Sequence, residues 1–200
     1  MLSLNNRQLL GRLAAEARVD QLTGVLNRRG FEEHAEVELE RAGREGYYLG
    51  AATFDIDYFK RVNDEWGHET GDRVLECLGT VLSAETRAPD VVARLGGEEF
   101  VALLARADHR QTRAYAERVR RAFATAADLD LPPVTVSAGV TAALAPGSVE
   151  ELVRAADSAL YAAKRGGRNR TVVHETAALR GHGLGALLRQ PAEEVDVRGL

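Results

Sequence analysis

Cysteine, tryptophan and methionine each occur only once in the 200 residues, and there are only five prolines. The single Cys77 excludes an internal disulfide and a cysteine-rich metal site. Its apolar neighbours, among them Leu75 and Leu78, indicate a small core residue rather than a reactive thiol. The chain lacks any apolar run near the roughly 20 residues of a membrane span, and its start lacks the apolar block of a signal peptide. These absences predict a cytoplasmic protein.

The chain also lacks a basic excess. It has 26 Lys and Arg against 30 Asp and Glu, a net charge of −4. This balance argues against a general nucleic-acid-binding protein, although a local basic pocket for a small anion stays open. With 45% apolar and 28% charged residues the composition is that of an ordinary globular protein. The length suits one core of about 150 residues with short extensions.

Hydrophobic periodicity and turn residues divide the chain into short elements. We expect helices at residues 3–18, 28–42, 57–66, 71–84, 108–126 and from 148 or 150 to 164, and strands at residues 47–55, 91–93, 100–104, 134–141 and 171–174. The central order β-α-α-β-β-α-β-α-β predicts an α/β (α+β) fold with a single mixed, mainly antiparallel sheet flanked by helices. We expect a linker or signalling helix at 1–19, one domain at 20–174 and a weakly ordered tail at 175–200.

The most informative segment is Arg94-Leu95-Gly96-Gly97-Glu98-Glu99-Phe100. Apolar runs on both sides predict a hairpin, because glycine adopts without penalty the positive φ that tight hairpin turns need. Two carboxylates are therefore held at the mouth of a turn with little side-chain bulk around them. This arrangement is typical of a site for a metal ion and a phosphate.

A second acidic segment follows the first long strand, in Phe54-Asp55-Ile56-Asp57. An acid at the carboxyl end of a buried strand stands where α/β proteins commonly bind ligands, and the following helix start suits phosphate. Asp55 and Glu98 could together hold Mg²⁺. The alternative is that Asp57 caps the helix and Asp55 is a solvated strand end.

Five segments in this order strongly resemble the GGDEF family, the bacterial diguanylate cyclases that join two GTP into cyclic di-GMP. They are Asp20-Gln21-Leu22-Thr23-Gly24-Val25-Leu26-Asn27-Arg28-Arg29, the run from Phe54 to Asp64, Gly67-His68-Glu69-Thr70-Gly71-Asp72, Gly96-Gly97-Glu98-Glu99-Phe100, and Ala162-Ala163-Lys164-Arg165-Gly166-Gly167-Arg168-Asn169. The resemblance covers nearly all of residues 20–174 and implies the sheet topology of nucleotide cyclases and polymerase palm domains. Val25 replaces the usual leucine, and Glu98 stands where the signature often has Asp.

The resemblance implies that Asp55, the Ile56 carbonyl and Glu98 bind one or two Mg²⁺ ions, with Mn²⁺ as an alternative. Glu99 would be a further ligand or would help to deprotonate the attacking 3′-hydroxyl. The triphosphate would be held by backbone amides around Tyr58 and Phe59 and by three basic side chains: Lys60, Lys164 and Arg168. The alternative interpretation of the last two is favourable charge at a helix C-terminus.

By the same resemblance, Asn63 and Asp72 would recognise guanine. A carboxylate can accept from the N1–H and the exocyclic amine of guanine, whereas adenine offers a different pattern. Asp72 therefore favours GTP over ATP. His68 is either a turn residue or part of the nucleotide pocket, and the remaining histidines lack the spacing of metal ligands.

Arg87-Ala88-Pro89-Asp90 matches the RxxD inhibitory motif of the family, and five residues separate it from Gly96. Arginine stacks on guanine and binds phosphate with two hydrogen bonds, so this pair suits the dinucleotide product. Arg118 on a later helix would add a contact. The alternative is an ordinary surface ion pair across a proline turn.

The sequence thus favours a Mg²⁺-dependent diguanylate cyclase that acts as a homodimer and is inhibited by its product. The rival hypothesis is a non-catalytic module that binds GTP or cyclic di-GMP and signals through a partner. The intact acids Asp55, Glu98 and Glu99 argue against this rival. We expect no nucleic-acid partner and no membrane segment. The input signal would come from a sensor domain or partner upstream, since residues 1–19 are too few to sense a signal.

Overall fold

The computed structural model describes residues 18–127 and 131–174. The predicted N-terminal helix, up to residue 17, and the predicted weakly ordered tail lie outside these residues. The strands are β1 (Leu26–Asn27), β2 (Tyr48–Ile56), β3 (Val91–Gly96), β4 (Glu99–Ala105), β5 (Val136–Leu144) and β6 (Thr171–Val173). The helices are α1 (Arg28–Glu45), α2 (Phe59–Trp66), α3 (His68–Glu85), α4 (His109–Ala127) and α5 (Val149–Arg165).

The strands form one six-stranded sheet in the order β1-β3-β4-β2-β5-β6. The three central pairings, β3–β4, β4–β2 and β2–β5, are antiparallel. The short edge strands are parallel to their neighbours, β1 to β3 and β6 to β5. The predicted fold class, a mixed and mainly antiparallel sheet with flanking helices, is therefore confirmed. Strand β1, of two residues, was not predicted.

Helices cover both faces of the sheet, and the central strand β2 contributes to both cores. Phe54 and Ile56 pack with residues of α2, α3 and α4 in the first core, whereas Leu49 and Ala51 pack with residues of α1 and α5 in the second. Burial on both faces explains why β2 is an almost continuous apolar run rather than an alternating one. Each large side chain buried in this way contributes about 1.5–3 kcal/mol to stability.

Several predicted boundaries were wrong. Helix α1 does not end before Gly43 but continues to Glu45, and Gly46 terminates it at φ 68° by donating its amide to the Ala42 carbonyl. A glycine inside a helix costs only about 1 kcal/mol relative to alanine, so Gly43 does not stop it. Helix α2 begins at Phe59 rather than Asp57, and α3 begins at His68 rather than Gly71.

Strand β5 begins two residues later than predicted and extends to Leu144, because all nine of its residues pair with β2.

The half-buried Cys77 packs against the first core, and burial raises the pKa of its thiol, as expected for a core cysteine. Within residues 18–127 and 131–174, no helix has the length and apolar character needed to cross a membrane.

Candidate functional site

Asp55 lies one residue before the end of β2, and only 5% of it is exposed. The register pairs it with Glu99 of β4 and Ser137 of β5. Directly paired residues share a face of the sheet, so these side chains lie on the face covered by α1 and α5. Asp55 is therefore not a solvated strand end, and that alternative was wrong.

The electrostatic surroundings of Asp55 favour a cation. Burial raises the pKa of its carboxyl, and the charges of Glu98 and Asp57 raise it further. Lys164 opposes this shift, since its Nζ lies 2.6 Å from Oδ2 of Asp55. The lysine predicted to hold phosphate thus lies against the carboxylate predicted to hold a metal.

The metal ligands predicted around Asp55 are all oxygen atoms. No group of three or more His, Cys, Asp or Glu side chains in the described part of the chain could hold a metal on its own. The predicted set of Asp55, Glu98 and the main-chain carbonyl of Ile56 would offer two carboxylates and one carbonyl. Mg²⁺ characteristically binds one or two carboxylates and completes its shell with water and phosphate oxygens.

The turn between β3 and β4 is held by an arginine to which the sequence assigned no role. Gly96 has φ 149° and Gly97 has φ 54°, as expected for the two glycines. Arg94 Nε donates to the Gly97 carbonyl at 2.8 Å, and its Nη1 lies 3.2 Å from Oδ1 of Asp20. The same Oδ1 accepts from the amide of Thr23 at 2.9 Å. Arg94 therefore connects the segment that begins at Asp20 to the turn at Gly96 and Gly97, which carries Glu98.

The start of α2 is open to a ligand. Tyr58 has φ 57° and gives no side-chain cap. The amide of Arg61 donates to the Tyr58 carbonyl at 2.8 Å. The amides of Phe59 and Lys60 precede it and, as at every helix start, have no acceptor within the helix. Such amides, together with the helix dipole, suit phosphate.

Asp57 does not cap this helix, so that interpretation was also wrong. Its carboxylate is buried and accepts from Thr135 Oγ1 at 2.6 Å, from Ser137 Oγ at 2.7 Å and from the amide of Asn169 at 3.0 Å. These bonds join the start of β5 and the loop at residues 166–170 to the start of α2. This role could not be predicted from the sequence, because all three donors are distant from Asp57 in the chain.

The same loop brings Arg168 to the open start of α2. The guanidinium carbon of Arg168 lies 4.3 Å from the centre of the Tyr58 ring, and its Nη1 donates to the Tyr58 hydroxyl at 3.2 Å. Lys60 is exposed in the first turn of α2. Two of the three basic residues predicted to bind triphosphate thus lie around this helix start, and Lys164 reaches Asp55 instead.

The two residues predicted to recognise guanine also lie close together. A methyl group on Gly71 would lie 1.9 Å from Oδ1 of Asn63, so the glycine allows the Asn63 side chain to approach the backbone of α3. Asp72 follows Gly71 and is exposed. His68 is exposed at the first residue of α3, and its role stays a prediction.

A separate cavity of about 310 Å³ contains the predicted inhibitory residues Arg87, Asp90 and Arg118. Arg87 Nε donates to Oδ2 of Asp90 at 3.3 Å, and Oδ1 of Asp90 accepts from the amide of Ala105 at 2.9 Å. Burial raises the pKa of Asp90. The Arg118 guanidinium lies 5.7 Å from the centre of the Tyr115 ring. Arg87, Arg118 and the hydrogen-bonded carboxylate of Asp90 thus line one cavity.

Known proteins resemble the chain along most of its length. Residues 17–170 match the family described as diguanylate cyclase, GGDEF domain. The chain is 42% identical over 161 residues to the diguanylate cyclase DgcP of Pseudomonas aeruginosa, a match that covers 79% of this chain and 24% of DgcP. It is 37% identical over 159 residues to the diguanylate cyclase DosC of Escherichia coli, covering 78% of this chain and 35% of DosC. The chain therefore spans only about a quarter to a third of the length of these curated relatives.

A solved structure has the same fold. The coiled coil and GGDEF domain of DgcB from Caulobacter crescentus, in complex with c-di-GMP, superimposes with a TM-score of 0.79 at 32% identity. The match covers 84% of this chain and 92% of that one.

Proposed function

The chain belongs to the GGDEF family of diguanylate cyclase domains, and from this membership we propose that it condenses two GTP into cyclic di-GMP with release of two pyrophosphates. One feature carries the proposal. The buried Asp55 carboxylate interacts with Glu98 and pairs with Glu99 across the strands. Next to it is the start of α2, whose first amides have no acceptor within the helix and which Arg168 reaches. Acidic oxygens next to anion-binding groups suit the transfer of a phosphoryl group from a charged nucleotide.

Cyclases of this family generally depend on a divalent metal. Asp55, Glu98 and the Ile56 carbonyl would hold it here, with Mg²⁺ or Mn²⁺ as the ion. A bound divalent ion offsets the charge of the triphosphate and polarises the α-phosphorus toward in-line attack. Glu99 pairs with Asp55 across the strands, and it would accept a proton from the attacking hydroxyl or add a ligand.

The remaining residues of the site bind and orient GTP. The amides at the start of α2, with Lys60 and Arg168, would bind the β- and γ-phosphates. Lys164, whose Nζ lies against Asp55, would also contact phosphate oxygens of bound GTP. Asn63 and Asp72 would accept and donate hydrogen bonds at the guanine edge, which distinguishes GTP from ATP.

The reaction requires two copies of the chain. In each half-reaction the 3′-hydroxyl of one GTP attacks the α-phosphorus of the other, an O–P bond forms, and pyrophosphate leaves. The described residues of each chain form one such site, and the product is two-fold symmetric. Two chains must therefore meet face to face in a C2 arrangement.

We expect purified protein to convert GTP to cyclic di-GMP in the presence of Mg²⁺. Chromatography of the nucleotides measures the product, and ATP in place of GTP is the control for base recognition. Turnover per chain should rise with protein concentration as dimers form. A verified dimer at high concentration that yields no cyclic di-GMP would contradict the proposal and favour the non-catalytic sensing module.

We also propose that the cavity with Arg87, Asp90 and Arg118 binds the product and inhibits turnover. Replacing Arg87 by alanine should raise the concentration of cyclic di-GMP needed for half-inhibition by about tenfold or more, since a lost charged hydrogen bond costs about 1.5–3 kcal/mol. Asp90 keeps its bond to the Ala105 amide in this variant. Turnover should be measured with added cyclic di-GMP, and Arg110→Ala, an exposed arginine on the same helix as Arg118, is the control. Unchanged inhibition in Arg87→Ala would refute the assignment.

A further inference from the structure

Two consecutive residues of the loop after α5 adopt a backbone conformation that side chains disfavour. Arg168 has φ 60° and Asn169 has φ 46°. Both lie in the left-handed region, where residues other than glycine are uncommon. Such strain persists only where the surroundings impose it, and it concentrates at functional sites.

Two contacts hold Asn169 in this conformation from opposite sides. Its amide donates to Oδ2 of Asp57 at 3.0 Å, and its Oδ1 accepts from Nη1 of Arg120 at 2.7 Å. Arg120 belongs to α4, where its Nη2 donates to Oε2 of Glu117 at 2.9 Å, and its side chain is only 20% exposed. The ion pair with Glu117, on the same helix, thus orients the Arg120 side chain toward the loop.

The direction of Arg168 depends on the residue that follows it. Its guanidinium lies over the Tyr58 ring at the start of α2, where the proposed triphosphate site lies. A change in the backbone of Asn169 would rotate the preceding peptide and move the Arg168 side chain away from this position.

We propose that Arg120 and Asn169 are positioning residues for the triphosphate of GTP, acting through Arg168. This proposal rests on the proposed function, because it takes the bound anion to be the triphosphate of GTP. Neither residue needs to contact GTP itself. Their bond sets the angle at which the Arg168 guanidinium meets the phosphate oxygens.

The hydrogen bond between Arg120 and Asn169 is not needed to maintain the backbone path of the loop. The amide of Gly166 donates to the Ala162 carbonyl at 2.8 Å, that of Arg168 to the Ala163 carbonyl at 3.0 Å, and that of Ala138 to the Arg170 carbonyl at 2.9 Å. These backbone bonds retain the chain path when the side-chain bond is removed. A merely structural role would therefore predict little effect on GTP binding.

Four variants test the pair. Arg120→Met removes the donor and keeps the aliphatic side chain. Asn169→Gly removes the acceptor but retains positive φ and the amide bond to Asp57. Asn169→Asp keeps an oxygen acceptor and also tolerates the left-handed region. Arg121→Met is the matched control, since among the described residues the ion pair of Arg121 is with Glu117 alone, at 3.9 Å.

The measured quantities are KM and kcat for GTP, the melting temperature, and the Kd of a non-hydrolysable GTP analogue with Mg²⁺ by calorimetry. We expect Arg120→Met and Asn169→Gly each to raise KM and Kd by about tenfold, with kcat within about twofold of wild type and folding retained. The double variant should lose no more than either single one, because both remove the same bond. Asn169→Asp and Arg121→Met should behave as wild type.

Unchanged Kd in both single variants, or effects that add in the double variant, would overturn the proposal. The proposal would also be overturned if Asn169→Asp and Arg121→Met lost binding to the same extent as Arg120→Met and Asn169→Gly. The calorimetric arm separates this proposal from the proposed function. A wild-type protein that binds the analogue but makes no cyclic di-GMP refutes the cyclase, while weaker binding in the two variants still supports the positioning pair. No binding of the analogue by wild type refutes both.

Discussion

Asparagine in place of Asp55 should lower cyclic di-GMP synthesis by about 10³-fold or more. The substitution keeps the shape of the side chain and removes a negative charge that would hold the divalent ion. Polarisation by a bound metal contributes several kcal/mol to such a reaction, and each 1.36 kcal/mol corresponds to a factor of ten in rate. Of the candidate carboxylate ligands, Asp55 is the most buried, and it lies one residue before the end of the central strand.

The same substitution should stabilise the fold at neutral pH. Because burial raises the pKa of Asp55 in the folded state, the folded chain holds its proton more tightly than the unfolded chain does. The ionised carboxylate therefore destabilises the fold at pH values above the raised pKa, and this cost disappears when both states are protonated. Lys164, which loses its partner, is one-third exposed and can reach water.

The experiment compares the melting temperatures of wild type and Asp55→Asn without nucleotide or metal at neutral and at acid pH. The variant should melt higher than wild type at neutral pH, and the difference should shrink as the pH falls. Glu40→Gln, the same chemical change at an exposed position of α1, should alter neither turnover nor the melting difference. Near-wild-type turnover in a folded Asp55→Asn protein would exclude Asp55 as a metal ligand.

Residues whose role is fixed by local chemistry could be predicted from the sequence. The Gly96-Gly97 hairpin follows from the conformational freedom of glycine, and the position of Asp55 follows from a strand that ends in acids. Arg87 and Asp90 are three residues apart and form their ion pair within one turn of the chain. In each case the residues involved are close in sequence, so the local sequence pattern is enough to predict their arrangement.

Residues that act through distant contacts could not be predicted in the same way. Arg94 is 74 residues from Asp20, and Asp57 is 112 residues from Asn169. Nothing near either residue distinguishes it from an exposed arginine or a helix cap. Strand β1 was missed for a related reason, since two residues carry no periodicity and pair only because β3 lies beside them.

Alanine in place of Gly139 should destabilise the domain more than any surface substitution. A Cβ at this position of β5 would lie 2.1 Å from both the Ala156 carbonyl oxygen and the Leu160 nitrogen. These are backbone atoms in the middle of α5, so no side-chain rotation can relieve the contact. Overpacking of this kind costs about 3 kcal/mol, which corresponds to a fall in melting temperature of roughly 6–12 °C for a domain of this size.

Gly43→Ala provides a control of opposite sign. Gly43 lies inside α1, and beyond the neighbouring backbone of its own helix a methyl group there would meet no described atom within 4 Å. Alanine at such a helical position stabilises by about 0.5–1 kcal/mol. Thermal melts of the two variants therefore separate the effect of close packing from the general effect of removing a glycine.

Gly139→Ala should also weaken substrate binding. The contact pushes α5 away from the sheet, and α5 carries Lys164 and leads into the loop with Arg168. If the helix moves as a rigid body, KM for GTP should rise in the variant at temperatures well below its melting point, whereas Gly43→Ala should leave KM unchanged. A melting temperature within about 2 °C of wild type would show that β5 and α5 are farther apart than described, and it would remove the reason to expect any effect on KM.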